Sequence, residues 1–344
     1  MINTINIMPT TACNIRCRHC GLDESIREAM EDETLEKLLA DISKSSIQDV
    51  SISGGEPLSE EYKDRLLYAL RSSEIGKEKE VAVQTNCSWA KSRKRARQMV
   101  DSLKSAGVSH LSLSMDTFHQ EFVPLKYVAN AVNACLGVFE SVIIETRSIE
   151  STYGNDVALV KKLAKKLGKS IEMKAAGIYF IGKNVYVKQG GCLIYGRAAQ
   201  HFTEQEDPVR TERFKANESS VKQLEGCDKL VPTIMPDGSL LPCCYWPISN
   251  SYEQTRFGRY PEMSLESFEK AMNSGLVPCI REGDWMTIYK FLKDKSRDSL
   301  RKKLIAHTVF GITDACDFCT EFFRTYSRHR EYEGKPLRAV EVGK

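Results

Sequence analysis

The sequence lacks several features that would assign it at once to a class of protein. It has no run of about 18 apolar residues, so no segment predicts a membrane-spanning helix. Its N-terminal residues have neither the basic stretch nor the long apolar core of a signal peptide. With 49 basic and 46 acidic residues the formal net charge is only +3, so no global basic field indicates nucleic-acid binding. We therefore expect neither a membrane nor a nucleic acid as partner.

What the sequence does have is 12 cysteines among 344 residues. The hydrophobic content of 42% is ordinary for a globular chain and excludes a disordered or fibrous protein. Because no export signal is present, we expect a cytoplasmic protein, in which cysteines seldom form structural disulfides. The grouping of the cysteines is therefore expected to carry the chemistry.

Short apolar runs alternate with longer amphipathic segments through the first half of the chain. The runs that predict strands are Thr4–Met8, Asp49–Ile52, Glu80–Gln84, His110–Ser114, Val142–Thr146 and Ile171–Ala175. The segments that predict helices are Glu33–Ser43, Glu60–Leu70, Ser92–Ser105, Lys126–Gly137 and Asn155–Lys166. This alternation predicts an α/β fold with a parallel sheet and helices outside it. Six such units indicate a partial (β/α)6 barrel of the TIM type, two units short of a closed one.

The alternation ends near residue 200. A polar segment, Gln200–Val221, is followed by a predicted hairpin and two predicted helices: Leu230–Met235 with Ser239–Leu241, Met263–Gly275 and Thr287–Leu304. We therefore predict a barrel domain over residues 1–200 and a small C-terminal α+β domain over 201–330. Residues 331–344 are mostly polar and are expected to form a tail.

Three cysteines follow the first predicted strand in the spacing C-x3-C-x2-C: Cys13, Cys17 and Cys20. Three thiolates on one loop suit an iron–sulfur cluster or a metal ion, and with a 4Fe-4S cluster they leave one iron open to another ligand. A structural zinc ion would need a fourth ligand, and His19 is the nearest candidate. Because His19 lies between two of the cysteines, it would struggle to fold back onto the same ion.

The second predicted strand is followed by Gly54-Gly55-Glu56-Pro57. Paired glycines let a backbone approach a ligand closely, and the Glu56 carboxylate can accept a hydrogen bond from an ammonium group. Alone this tetrapeptide is a turn. The order of strand, cysteine triplet, helix, strand and Gly-Gly-Glu-Pro is the specific signal.

With these motifs the sequence resembles the radical S-adenosylmethionine (SAM) enzymes. The resemblance implies that Cys13, Cys17 and Cys20 bind a 4Fe-4S cluster whose open iron binds SAM. It also implies that Gly54, Gly55 and Glu56 face the methionine amine of SAM. The family usually has an aromatic residue just before the third cysteine, near the adenine, and here that position is His19.

Five polar residues at the ends of later predicted strands are further candidates for SAM contacts: Thr85, Asn86, Ser114, Asp116 and Arg147. The carboxyl ends of barrel strands are the edge at which barrel active sites form. Ser114 and Asp116 could reach the ribose, and Arg147 could pair with the SAM carboxylate. Each could equally be a polar strand terminus.

Four later cysteines could form a second, closed site: Cys227, Cys243, Cys316 and Cys319. Both zinc and an iron–sulfur cluster are chemically reasonable there. The spacing C-x10-G-x4-C followed by C-x2-C resembles the twitch domain, the short form of the SPASM extension, which implies an auxiliary 4Fe-4S cluster. Gly196-Arg197-Ala198 supports this resemblance, because such a tripeptide commonly precedes these extensions.

Cys244 stands beside Cys243, and neighbouring side chains diverge, so only one of the two readily joins the same cluster. A free thiol can return a hydrogen atom to a carbon radical, although a buried inert thiol is the alternative. Cys87, Cys135, Cys192 and Cys279 have no partner at ligand spacing.

Pro242-Cys243-Cys244, the closing C-x2-C and the segment 116–123 resemble the epipeptide-type radical SAM peptide epimerases. This resemblance implies a ribosomally made precursor peptide as substrate and L-to-D epimerisation with Cys244 as hydrogen donor. It also implies an external one-electron donor such as flavodoxin or ferredoxin. Because Cys13 comes so early, we expect no leader-recognition domain before it.

Three alternatives remain open at this point. The enzyme could form thioether or carbon–carbon crosslinks in a peptide, or it could dehydrogenate a small molecule as other twitch enzymes do. A non-catalytic electron-transfer protein is a third possibility, but it would not need the Gly-Gly-Glu-Pro turn.

Overall fold

A computed structural model describes residues 2–22, 27–175, 178–181, 184–191, 197–202, 231–243, 256–274, 277–284 and 287. The chain divides into two compact units. The larger comprises Asn3–Pro208 with Ile234–Gly238, and the smaller comprises Met1–Ile2, Val209–Thr233 and Ser239–Lys344. Within the described ranges, every helix is too short or too polar to cross a lipid bilayer.

The larger unit is built on a sheet whose strands run in the order β1-β2-β3-β4-β5-β8-β7-β6. The strands are β1 (Thr4–Ile7), β2 (Asp49–Ile52), β3 (Glu80–Thr85), β4 (His110–Ser114), β5 (Ser141–Ser148), β6 (Glu172–Ala175), β7 (Ile178–Phe180) and β8 (Val185–Gly191). The first five and β8 are parallel neighbours, whereas β7 and β6 join β8 by antiparallel pairing. The predicted α/β class with a central parallel sheet is therefore confirmed.

The sixth parallel strand of the sheet differs from the sequence prediction. Ile171–Ala175 was predicted to follow the fifth strand in the sheet, but β8 pairs with β5 over seven residues, from Val142–Val185 to Ser148–Gly191. The predicted run forms β6, which lies two strands farther out beyond β7. The physical reason is that β6, β7 and β8 form successive antiparallel pairs, and only the last member of that meander borders β5.

Among the described residues of the larger unit, seven helices follow or connect its strands. They are α1 (Asp32–Ser43), α2 (Lys63–Ser72), α3 (Ile75–Glu78), α4 (Arg93–Ser105), α5 (Leu125–Cys135), α6 (Glu150–Leu167) and α7 (Ala198–His201). A 3₁₀ turn, His119–Glu121, lies between β4 and α5. In α1 the apolar residues recur at helical spacing, and Leu35, Leu38, Leu39 and Ile42 are all buried.

The buried face of the sheet changes from apolar to polar along β3 and β5. In β5 the alternate buried residues are Val142, Ile144, Thr146 and Ser148, in chain order. In β3 the buried series ends with Thr85. The apolar beginnings of the strands form the core, and their polar ends collect at the carboxyl edge of the sheet. That edge is where the sequence predicts the site.

The described part of the smaller unit is a small α+β arrangement. It contains β10 (Ser239–Leu241), which pairs antiparallel with β11 (Gly258–Arg259), and the helices α8 (Leu265–Met272) and α9 (Val277–Glu282). Ser264 caps α8 by accepting a hydrogen bond from the Ser267 amide. The predicted strand before the turn is confined to β9 (Thr233–Ile234), and most of the predicted helix Thr287–Leu304 lies outside the described residues. The domain boundaries near 200 and 330 stay a prediction.

Candidate active site

The loop that carries the first three cysteines begins just after β1 and is held by residues far away in the sequence. The Arg197 guanidinium donates a hydrogen bond to the Cys17 carbonyl oxygen at 3.2 Å. The Ala198 amide donates to the Cys20 carbonyl oxygen, also at 3.2 Å, and the Cys20 amide closes a turn onto Cys17. The Arg-Ala pair that the sequence predicts to precede an extension therefore clamps the cysteine loop.

The thiols of this loop lie in an environment that opposes their ionisation while no metal is bound. Burial raises the pKa of the Cys13 thiol to about 11 and that of Cys17 further still. The negative charges of Glu56 and Cys20 also raise the pKa of Cys13, and those of Asp116, Cys20 and Cys13 raise that of Cys17, whereas Arg197 lowers both. With raised pKa values, the Cys13 and Cys17 thiols need a positive centre nearby to become thiolates, which fits a bound iron–sulfur cluster.

Gly54 and Gly55 lie directly against the backbone that leads into the cysteine loop. The amides of Gly55 and Glu56 donate to the carbonyl oxygens of Thr10 and Ala12 at 2.8 and 2.9 Å. A Cβ built on Gly54 would overlap the Thr10 carbonyl, and one built on Gly55 would overlap the Ala12 carbonyl. The lack of side chains on Gly54 and Gly55 thus lets the backbone leading into the cysteine loop pack directly against this turn.

Glu56 is buried, with 1% of its surface exposed, and it accepts three hydrogen bonds. The Thr85 hydroxyl donates to Oε1 at 2.7 Å, the Leu58 amide donates to Oε1 at 3.0 Å, and the Asn86 amide donates to Oε2 at 2.6 Å. Burial raises the pKa of the Glu56 carboxyl to about 7, although the three donors act in the opposite direction. Glu56 therefore joins the turn after β2 to the end of β3.

Asn86 extends this network to the first cysteine. Its side-chain amide donates to the Asn14 amide oxygen at 2.9 Å and lies 3.9 Å from the Cys13 sulfur. The Asn14 amide donates in turn to the Ser88 hydroxyl at 2.7 Å, and the Ser88 amide donates to Asn86 at 2.9 Å. Thr85 and Asn86, predicted as SAM contacts, thus hold the cysteine loop, the Gly-Gly-Glu-Pro turn and the β3 end together.

Asp116 is fully buried just beyond β4, and its carboxylate faces two histidines. The amide and the Nδ1 atom of His119 lie 2.9 and 2.8 Å from its oxygens, and His19 Nε2 lies 3.4 Å away. Burial alone would raise the pKa of Asp116, but the attraction of the two histidines outweighs burial and holds it well below its usual range. Asp116, predicted to reach the ribose, orients His19 and His119.

His19 also packs against the ring of Phe118, with the ring centroids 4.7 Å apart and nearly parallel. Phe118 belongs to a buried apolar group that includes Cys17, Ile149 and Phe202. His19 occupies the position at which the predicted family usually has an aromatic residue. Its imidazole is stacked on Phe118 and held by Asp116.

Two other predicted SAM contacts lie at the same edge. Ser114 ends β4 and is buried with 8% exposure. Arg147, in β5, forms an ion pair with Glu145 at 2.7 Å, and its backbone amide lies 3.4 Å from the Asp116 carboxylate. The structure therefore brings the three predicted cysteines and the nine predicted SAM contacts to one edge of the sheet, where the Arg147 guanidinium is paired with Glu145.

Asp156 in α6 is a buried residue that the sequence reading did not select. Its carboxylate accepts hydrogen bonds from the amide and hydroxyl of Thr117, at 2.6 and 2.7 Å, and from the Ser148 hydroxyl at 2.5 Å. It thereby ties the segment that carries Asp116 and His119 to the end of β5. Its position in the sequence could have indicated burial, because it lies on the same helical face as Val160 and Leu163, which are both buried.

An Asp156→Asn substitution is expected to loosen this segment. The amide can replace only one carboxylate oxygen and turns an NH2 group toward a donor, which should lower the free energy of unfolding by about 1–3 kcal/mol. Thermal melting of the cluster-free protein measures this, and the exposed Asp101→Asn is the matched control, expected to stay within about 0.5 kcal/mol. An Asp156 variant as stable as the control would show that the carboxylate is not needed to hold Thr117.

Of the second cysteine site, only Cys243 is described. It is buried and follows β10 directly after Pro242. Cys227, Cys244, Cys316 and Cys319 lie outside the described residues.

The chain was compared with known proteins. It is 24% identical over 275 residues to GTP 3',8-cyclase of Clostridium botulinum (strain Hall), over 71% of this chain and 82% of that protein. It is 28% identical over 131 residues to the putative peptide biosynthesis protein YydG of Bacillus subtilis (strain 168), over 37% and 40% of the two chains. The structure of anSMEcpe with bound AdoMet and Cp18Cys peptide shares the fold, with a TM-score of 0.52 at 14% identity over 96% of this chain and 99% of the other.

Residues 7–135 match the radical SAM superfamily. This range contains the cysteine loop, the Gly-Gly-Glu-Pro turn and the Asp116 segment, which meet at the carboxyl edge of the sheet. The chain therefore carries a radical SAM domain over these residues.

Proposed function

We propose that this radical SAM enzyme epimerises an L-residue of a ribosomally made precursor peptide, with Cys244 as the hydrogen donor. The observation that carries the radical SAM part is the cysteine loop, which packs against Gly54 and Gly55 and is held by a hydrogen bond from Arg197. The observation that carries the epimerase part is the adjacency of Cys243 and Cys244 within the predicted twitch pattern.

The radical SAM domain implies a 4Fe-4S cluster and SAM as cofactors, and the three thiols of the cysteine loop would hold the cluster. When bound, these cofactors supply a 5'-deoxyadenosyl radical that takes a hydrogen atom from the substrate. On the protein side, Asp116 and Phe118 fix the His19 ring, where it can stack against an adenine. Glu56 and Asn86 connect the turn after β2 to the cysteine loop by hydrogen bonds.

The proposed epimerisation balances with two external electrons and one proton, because the cleavage of SAM consumes one electron and the restoration of Cys244 consumes the other electron and the proton. The substrate Cα–H bond breaks and its hydrogen leaves as part of 5'-deoxyadenosine. Cys244 then gives its S–H hydrogen atom to the opposite face of the carbon, and the resulting thiyl radical needs one electron and one proton to return to the thiol. A flavodoxin or ferredoxin is the proposed source of electrons, and the proposed compartment is the cytoplasm.

Two comparisons support a peptide substrate. The B. subtilis relative is described as a putative peptide biosynthesis protein, and its match of 131 residues is of similar length to the radical SAM domain. The fold is shared with anSMEcpe, whose structure contains AdoMet together with a peptide. A protein of this fold can therefore hold AdoMet and a peptide together.

We further propose that Cys227, Cys243, Cys316 and Cys319 bind an auxiliary 4Fe-4S cluster, which orders the site or carries electrons. Zinc is the competing occupant, since four thiolates suit both. Iron, sulfide and zinc analysis of the anaerobically purified Cys13→Ala/Cys17→Ala/Cys20→Ala protein distinguishes them. About four irons per protein would support the auxiliary cluster, whereas about one zinc per protein would show that the site binds zinc instead.

A nucleotide is the second candidate substrate. The match to the C. botulinum GTP 3',8-cyclase covers 82% of that protein. The match to the peptide biosynthesis protein covers only 40% of that protein. Incubating the reconstituted enzyme with SAM and GTP tests this candidate. GTP consumption coupled to 5'-deoxyadenosine formation would favour the nucleotide over the peptide.

The proposal as a whole is tested by the products of the anaerobically reconstituted enzyme. With SAM and a reductant it should form 5'-deoxyadenosine, and a protein that forms none is not a radical SAM enzyme. With a peptide substrate in heavy water, epimerisation should add about one mass unit, because a thiol exchanges its proton with solvent before donating it. A loss of two hydrogens would instead indicate crosslinking or dehydrogenation.

Cys244→Ala is expected to separate hydrogen abstraction from hydrogen return. The variant should still cleave SAM and abstract the Cα hydrogen but should form little D-residue, because the donor thiol is gone. Chiral amino-acid analysis of the product measures the yield. Cys279→Ala is the matched control and should form as much D-residue as the wild type. An undiminished yield from Cys244→Ala would remove this residue from the mechanism.

A further inference from the structure

Cys17 has two histidine neighbours that its role in a cluster does not use. One ligand atom each of Cys17, His19 and His119 lies within 4.8 Å of the others. Cys17 is 4% exposed, and the side chains of His19 and His119 are 8% and 15% exposed. One thiol and two imidazoles are a ligand set typical of a single zinc ion.

A shared carboxylate orients both histidines. The same oxygen of Asp116, Oδ2, lies 2.8 Å from His119 Nδ1 and 3.4 Å from His19 Nε2. Histidines that bind a metal almost always direct their other ring nitrogen to a carboxylate, carbonyl or water, which fixes the ring and makes it a better ligand. Asp116 is itself held by the backbone amides of His119 and Arg147.

The apolar surroundings fix the rings further. His19 stacks on Phe118 and meets the His119 ring edge-on, with centroids 4.7 and 4.8 Å away. Phe118, Ile149 and Phe202 pack around Cys17 in one buried group. The three side chains therefore face one another at the edge of this apolar group.

We propose that Cys17, His19 and His119 bind a single divalent transition-metal ion, biologically Zn²⁺, when no iron–sulfur cluster is present. A tetrahedral zinc site with bonds of about 2.0–2.3 Å places its ligand atoms about 3.5 Å apart. The ligand atoms, which lie within 4.8 Å of one another, would come closer by side-chain rotation, and a water would complete the fourth position. Because Cys17 would be a ligand of both the zinc ion and the cluster, the two cannot be bound at the same time. This mutual exclusion rests on the proposed function.

Cobalt binding to the cluster-free protein tests the ligand set. Co²⁺ occupies tetrahedral zinc sites and reports thiolate ligation by its absorption. Protein stripped of iron by anaerobic chelation is titrated with Co²⁺. Cys17→Ser and His119→Gln should each lose about one equivalent of bound cobalt relative to the wild type, whereas Cys20→Ser should lose none. Cobalt bound by the second cysteine site is common to all variants and cancels in the difference.

Two results would overturn the proposal. If Cys20→Ser loses as much cobalt as Cys17→Ser, the ion is held by the cysteine triplet, and if His119→Gln loses none, the histidine is no ligand. His119→Cys guards against a merely misfolded variant, because it should restore binding with a stronger thiolate band. Neither cluster nor SAM is present, so failure to form 5'-deoxyadenosine would leave this result unaffected.

The mutual exclusion has its own measurement. Wild-type protein preloaded with Zn²⁺ should acquire iron–sulfur absorption more slowly during reconstitution than zinc-free protein. His119→Gln should show a smaller difference between the two preparations. Equal rates in the wild type with and without zinc would refute the exclusion.

Discussion

Gly55→Ala is expected to leave the protein without its radical SAM cluster. The added methyl group would overlap the Ala12 carbonyl and lie 2.6 Å from the Thr11 carbonyl oxygen. Both atoms belong to the backbone that leads into Cys13, so they cannot move aside as a flexible side chain could. Either the loop shifts or the turn after β2 opens, and both displace Cys13. We expect a loss of about 3 kcal/mol or more in the free energy of unfolding.

The matched control is Gly154→Ala. Gly154 lies inside α6, and a Cβ built there meets nothing within 4 Å. Alanine should stabilise that helix by about 0.5–1 kcal/mol. Iron content after reconstitution and the melting temperature of the cluster-free protein measure both variants. A Gly55→Ala protein that loads iron and melts like the wild type would mean that the two loops do not approach so closely.

The strands of the sheet illustrate how much of this fold the sequence specifies. Each of the first five was predictable to within about two residues, because their apolar alternation and the helices between them are local patterns. The neighbour of β5 was not predictable, because β8 offers only Val185, Tyr186 and Val187 before Lys188 and two glycines. Its position depends on pairing with β5 and β7, which are separated from it in sequence or joined by a turn.

In the site, too, the features that are local in sequence could be predicted, whereas contacts between distant residues could not. The cysteine spacing identified Cys13, Cys17 and Cys20, because ligands on one loop are local in sequence. The partners of Glu56 and Asp116 were not predictable, since Thr85 and His19 come from other loops. Asp156 was missed because a single carboxylate in an amphipathic helix reads as a surface residue until its partners are known.

Glu56→Gln is expected to destabilise the protein even in the absence of SAM. Oε1 accepts from the Thr85 hydroxyl and the Leu58 amide, and Oε2 accepts from the Asn86 amide. A glutamine amide has one acceptor oxygen, so either orientation turns its NH2 group toward at least one of these donors. In a site with 1% exposure, water cannot satisfy the donor that is left. We expect a loss of about 3 kcal/mol.

This prediction separates two roles for Glu56. If it served only to accept from the methionine amine of SAM, the variant would bind SAM weakly but would melt like the wild type. If it joins the turn after β2 to the end of β3, the SAM-free protein melts at a lower temperature and SAM affinity falls as a consequence. Thermal melting and calorimetric SAM titration, with the exposed Glu61→Gln as control, distinguish these cases. Because Asn86 connects Glu56 to Asn14, the same variant should also expose Cys13 to alkylation in the cluster-free protein. Unchanged melting and unchanged alkylation together would assign Glu56 to SAM alone.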